Sequence, residues 1–169
     1  LVNVLIYDNE AYNGCGIRVV ESEITLYNVT MSDNDCLQPN GAAILRLGGT
    51  IRSYNTIIAN HGDNTLLDQL NAYGSTDLFR HSLIPGIAEG SSTGNINSLP
   101  SFVNASTGDY RLTSLSRGVD EGNYLHLQLL GDPWDSDGNG TYLGLFPLDV
   151  TGQDRFEGNE VDIGAYEYR

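Results

Sequence analysis

The sequence predicts an all-β solenoid, with short strands wound into coils that stack along one axis. Three observations predict it. An asparagine-centred segment recurs every 25 to 27 residues. A glycine turn recurs between its copies, at Asn13-Gly14 and again at Asn40-Gly41. The stretches after these turns alternate apolar and polar residues and carry no helical stripe.

The recurring segment appears first as Val2-Asn3-Val4-Leu5-Ile6-Tyr7-Asp8-Asn9. It returns as Tyr27-Asn28-Val29-Thr30-Met31-Ser32-Asp33-Asn34 and as Tyr54-Asn55-Thr56-Ile57-Ile58-Ala59-Asn60. Phe79-Arg80-His81-Ser82-Leu83-Ile84 is a weaker fourth copy. Ile17-Arg18-Val19-Val20 follows one glycine turn and Ile44-Leu45-Arg46-Leu47 the other. Each repeat therefore reads as glycine turn, strand, short turn, strand and Asn/Asp-rich turn. Coils of this kind stack at the ordinary strand spacing of about 4.8 Å, with apolar side chains inward. Stacked asparagines can bond to one another along the axis and satisfy the turn backbone. Leucine-rich repeats share the period but need a leucine consensus that is missing here. A β-sandwich gives short strands but no asparagine recurring at one phase.

The C-terminal half carries three further motifs in order. They are Gly94-Asn95-Ile96-Asn97-Ser98-Leu99-Pro100-Ser101-Phe102-Val103, then Gly108-Asp109-Tyr110-Arg111-Leu112 running on to Asp120-Glu121-Gly122-Asn123, and finally Val161-Asp162-Ile163-Gly164-Ala165-Tyr166-Glu167-Tyr168. With the coils, this set resembles the right-handed parallel β-helix (pectate-lyase-like) superfamily. It resembles in particular the C-terminal module of secreted or cell-surface bacterial β-helix proteins of the "choice-of-anchor" type. Family members often carry proline where Arg117 stands. The resemblance implies a right-handed, single-stranded parallel β-helix fragment with a C-terminal capping region, located outside the cell, and implies no particular reaction. The expected division is 1–90 as parallel coils and 91–169 as a C-terminal coil and cap with an acidic insertion loop. Tyr110, Leu112, Val119, Ile163, Tyr166 and Tyr168 are expected to cover the last coil, because an open solenoid end exposes strand edges and core.

Leu1 opens directly onto an alternating apolar segment, which reads as the middle of a strand. The chain is therefore expected to be a fragment able to associate through an open N-terminal coil, with itself or with upstream coils. No apolar run reaches the length of a membrane span.

Asp and Glu total 22 against 8 basic residues, a net charge of −14, and every basic residue is an arginine. Such a surface repels nucleic-acid phosphates and anionic membranes and suits divalent cations or neutral glycans. The candidate metal site is Asp135-Ser136-Asp137-Gly138-Asn139-Gly140-Thr141, which matches the first half of a calcium loop. Asp135, Asp137 and Asn139 would supply side-chain oxygens and Thr141 a carbonyl to Ca²⁺. Phe146 stands where the closing glutamate of an EF-hand belongs, so a looser site using Asp132, Asp149 or Asp154 is the alternative, and an ordinary acidic turn is another.

Catalytic constellations are weaker. β-Helix lyases use a basic residue, which leaves Arg18, Arg46, Arg52 and Arg80 among the coils. Glycosidases pair carboxylates, and Asp8, Asp33 and Asp35 lie near equivalent turns, where aspartate is expected on backbone grounds alone. His61, His81 and His126 have no sequence partner. Trp134 and the tyrosines could stack on glycan, whereas Tyr27 and Tyr54 share one phase and suit a structural stack. Cys15 and Cys36 lie on consecutive coils at different phases, which leaves open whether they pair. The expected function is a structural or adhesive extracellular module that binds polysaccharide or another surface partner. The alternative is the non-catalytic end of a polysaccharide lyase or glycoside hydrolase.

Overall fold

In the computed structural model, residues 1–38, 41–61, 70–71, 77–128 and 148–169 are described. The fold is all-β: eleven strands, one 3₁₀ turn (Ala105–Thr107) and one four-residue helix, α1 (Leu125–Gln128), among the described residues. The strands form four small, separate sheets.

The first sheet holds β1 (Leu5–Tyr7), β4 (Thr30–Ser32) and β7 (Ile57–Ala59), in that order and all parallel. The second pairs β2 (Glu10–Ala11) with β5 (Asp35–Cys36), also parallel. In the third, β3 (Ile17–Tyr27) and β6 (Ile44–Tyr54) run parallel over their length, followed by β8 (Leu70–Asn71) and β9 (Leu78–Arg80) on β6. The fourth is an antiparallel pair, β10 (Phe102–Asn104) and β11 (Asp109–Leu112).

The three parallel sheets share one register. Leu5 pairs Thr30 and Thr30 pairs Ile57; Glu10 pairs Asp35; Ile17 pairs Ile44; Arg52 pairs Leu78. Each step advances by the same 25 to 27 residues that separate the sequence repeats. The corners of the repeats follow suit. Asn3, Asn28 and Asn55 all have φ near +50°, and so do Asp8, Asp33 and Asn60. Asparagine and aspartate tolerate this left-handed conformation better than other non-glycine residues, which explains why they recur at both corners. His81, in the weaker fourth copy, takes the same left-handed corner (φ 47°) one repeat beyond Asn55. Midway along β3 and β6 the chain bends again, with Gly48 and Gly49 at φ near +80°. A Cβ on Gly49 would lie 1.7 Å from the Ser22 carbonyl oxygen, so only glycine fits.

Alternation along the strands separates two cores. Val29, Met31, Ile44, Ile51, Ile58 and Ile84 share the first. Ile57 and Ala59, on the opposite face of β7, join Leu83, Ile96, Leu112 and Ile163 in the second. Leu112 and Ile163, expected over the end of the stack, thus cover a sheet face. The reason is that Ile57 and Leu83 are apolar where an outer strand face would carry polar residues. In the first repeat Val4, Ile6, Ile17 and Ile24 are only partly buried, whereas their register partners Val29, Met31, Ile44 and Ile51 are fully buried.

The asparagine ladder does not bond along its own axis. Asn3 donates to the Leu148 carbonyl, and Asn55 exchanges two hydrogen bonds with the Asn123 backbone, at 2.9 and 3.1 Å. Asn28, between them, is fully buried with neither side-chain atom bonded to a described residue. The ladder is the seam on which the C-terminal segment is fastened.

Candidate functional site: an acidic groove and a buried charge cluster

At the second left-handed corner the chain forms a groove of about 560 Å³, lined among others by Tyr7, Asp8, Asp33, Ser106, Thr107 and Tyr110. Asp8 and Asp33 are successive members of one ladder, and the Asp8 N–H bonds the Asp33 carbonyl at 3.2 Å. Asp33 accepts a hydrogen bond from Ser32 Oγ at 2.7 Å and lies 3.5 Å from Asn60 Nδ2. Tyr110 lies in the same groove; burial first, and then the Asp33 charge, raise its pKa well above the phenol range. Tyr7 is 41% exposed, and its ring rests against Tyr110 with centroids 5.1 Å apart. Among the described residues, no arginine or histidine lines this groove. Of the three aspartates read from the sequence, the fold brings Asp8 and Asp33 together, while Asp35 sits in another sheet opposite Glu10.

Cys15 and Cys36 form a disulfide with Cα atoms 5.2 Å apart. In register Cys36 pairs Ala11, and the corner after β2 carries Cys15 back to it. Tyr27 and Tyr54 stack with centroids 4.9 Å apart and ring planes nearly parallel, as their shared phase suggested. His61 is fully buried and bonded to the Met31 and Asn34 backbone, and burial lowers its pKa. His126 packs on Tyr54 and His81, and its pKa falls to about 4, chiefly through burial.

Two arginines of the repeats are held by acids. Arg46 Nε lies 3.3 Å from a buried Asp77 carboxylate, and Arg52 pairs with Glu23. The proposed calcium ligands Asp135, Asp137, Asn139 and Thr141 lie outside the described residues, as do Asp132 and Trp134. Asp149, offered as a further ligand, spends its oxygens on protein donors. Oδ1 accepts Thr151 N–H (2.7 Å), Thr151 Oγ1 (2.6 Å) and Gln153 N–H (3.1 Å), and Oδ2 accepts Glu167 N–H (3.3 Å). Burial opposes its ionisation, yet these bonds hold its pKa below the usual carboxylate value. Among the described residues no group of three or more His, Cys, Asp or Glu is placed to hold a metal.

The C-terminal motif builds a second cluster that no sequence motif announced. Arg155 is fully buried. Its Nη1 meets Tyr166 O at 3.2 Å and Glu167 Oε2 at 3.4 Å, its Nε meets Asn3 Oδ1 at 3.3 Å, and its Nη2 bonds Gly164 O. Asp149, Asp162 and Glu167 surround it, each nearly or wholly buried. Asp162 accepts the Asp120 N–H at 2.8 Å and also the Tyr168 N–H. Gly164, at φ 108°, lets the strap lie on the repeats: its N–H bonds Asn55 O at 2.8 Å, and the Ala165 N–H bonds Thr30 Oγ1 at 2.9 Å. The acidic motif residues therefore serve as acceptors that bind loops together.

Burial, then the neighbouring Asp162 charge, pushes Glu167 up to about 8, against the pull of Arg155. A carboxyl raised in the fold keeps its proton longer than in the unfolded chain. Its contribution favours folding at low pH and is lost as pH rises from about 4.5 towards 8. His61 and His126, lowered by burial, act oppositely up to about pH 6.5. Glu167→Gln removes only the first effect. The melting temperature of the variant minus that of the parent should therefore grow between pH 5 and pH 8. A difference that stays constant, measured by calorimetry at both pH values, would contradict this assignment.

No protein-family model, curated protein or solved structure matches the chain.

Proposed function

We propose that the chain is a structural and adhesive module of a secreted or cell-surface bacterial protein. On this reading it is a right-handed parallel β-helix, and its groove at Tyr7, Asp8 and Asp33 binds glycan. The observation that carries the reading is the common parallel register: three separate sheets each advance by 25 to 27 residues per strand, as stacked coils require. The disulfide supports an extracellular setting, because such bonds persist in oxidising compartments. A concave site with one exposed aromatic ring and several polar groups suits a sugar. Arg46 and Arg52, two of the four arginines from which a lyase could draw its base, are engaged with carboxylates.

A pelleting assay with insoluble cell-wall polysaccharides tests this. The folded chain should sediment with at least one of them and release no reducing ends, and Tyr7→Ala should lower the bound fraction several-fold. Release of reducing ends that Asp8→Asn abolishes would replace the adhesive reading with a glycosidase.

A further inference from the structure

We infer that the groove at the second corner takes an amine-bearing glycan, a polymer containing unacetylated amino sugars. The inference rests on the groove being a binding site and specifies its ligand.

Asp8 and Asp33 are successive members of one ladder, joined through their backbone at 3.2 Å, and both line the groove. Ser32 Oγ donates to the Asp33 carboxylate at 2.7 Å, which fixes the direction of that side chain. Asp8 is exposed and its carboxylate receives no hydrogen bond from a described residue. Among the described residues no cationic side chain lines the groove, and the chain's net charge of −14 adds to the local negative field. Two adjacent carboxylates without a cation repel each other, and a bound ammonium relieves that repulsion. The groove therefore discriminates by charge: it repels uronates and phosphates, and it gains more from an amine than from a neutral acetamide.

The remaining lining selects a sugar. The Tyr7 ring is partly exposed, and Gly108 beside it adds no side chain to the contact. A Cβ there would lie 3.5 Å from the Tyr7 ring carbon Cε2 and its hydroxyl. An aromatic face beside carboxylates attracts an ammonium and also packs against the C–H face of a pyranose. Ser106 and Thr107 also line the groove; their hydroxyls donate to Asn104, at 2.7 and 3.1 Å, and keep oxygen lone pairs to accept from the hydroxyls of a sugar. A basic peptide would satisfy the charge and leave these hydroxyls unused.

Calorimetric titration of the whole chain with three probes tests the inference: a β-1,4-glucosamine hexamer, the N-acetylglucosamine hexamer and hexalysine. The glucosamine hexamer should bind about tenfold more tightly than its acetylated counterpart, and less tightly as salt rises. Asp8→Asn should remove about tenfold of that affinity, the loss of one charged contact. Asn60 occupies the equivalent corner at φ 59°, so asparagine suits this backbone and the variant should fold as the parent does. Tyr7→Ala should weaken the glucosamine hexamer, which loses both the ammonium contact and the pyranose packing, several-fold more than any hexalysine binding, which loses the ammonium contact alone. Equal binding of the two sugars would overturn the amine assignment while sparing the groove. Binding of neither sugar would overturn both. Hexalysine binding as tightly as the glucosamine hexamer, with the same loss in Tyr7→Ala, would overturn the sugar assignment.

Discussion

Replacing Arg155 by methionine should cost about 3–5 kcal/mol, the usual penalty for removing one partner of a buried ion pair. For a chain of this length that is a fall in melting temperature of roughly 6–20 °C. Among the described residues the guanidinium is the only cation beside Asp149, Asp162 and Glu167, and it also donates to the carbonyls of Gly164 and Tyr166. Its loss leaves those carbonyls and Asn3 Oδ1 without their donor, the Gly164 carbonyl in a buried place. The cost should be greater at pH 8 than at pH 5, because a protonated Glu167 no longer needs the cation. Adding Glu167→Met to Arg155→Met should recover part of the loss, since an apolar pair can replace a buried ionic one. Urea unfolding of the single and double variants at both pH values measures this. A loss under about 1 kcal/mol would mean that the strap is held by its backbone hydrogen bonds alone.

Removing the disulfide should have an effect of similar size. Cys15 and Cys36 are 21 residues apart, a loop whose closure in the unfolded chain is worth about 3 kcal/mol. Cys15→Ala with Cys36→Ala should therefore lower the unfolding midpoint substantially. Reductant should shift the parent to nearly the same midpoint and leave the double variant unmoved. The bond joins the corner after β2 to the strand above it, where the two-residue strands β2 and β5 offer little other pairing. The same midpoint with and without reductant would show that the corner holds without the bond.

Part of the groove was legible in the chain's repeats. The recurrence of Asp8 and Asp33 at one phase placed two carboxylates on neighbouring repeats, and the fold puts them there. That Tyr7 and Tyr110 would join them was not legible, because Tyr110 arrives from β11, outside the repeat and without its period. Cys15 and Cys36 differ in phase, so alignment of repeats could not join them. Phase describes contact along the stack, whereas these two meet across a corner.

The sequence by itself determined the strand content, the 25–27-residue advance and the left-handed corners. All three depend on local chemistry, namely alternation, turn residues and the tolerance of Asn and Asp for positive φ. Only the tertiary structure decided where the C-terminal motif goes and what its acids do. Val161 to Tyr168 reads as cover for the last coil, through Ile163, Tyr166 and Tyr168, and its two carboxylates give no local sign of Arg155. Its partners lie far away in sequence: Thr30 is 135 positions from Ala165, and Asn3 is 152 from Arg155. Those contacts exist because Ile57 and Leu83 present apolar side chains on the outer face of a sheet, and burying them draws the strap across it. Once the strap is there, Arg155 and its carboxylates are sealed from water, and their charges become interdependent. Burial of that kind is a property of the packed molecule, and no local pattern in the chain encodes it.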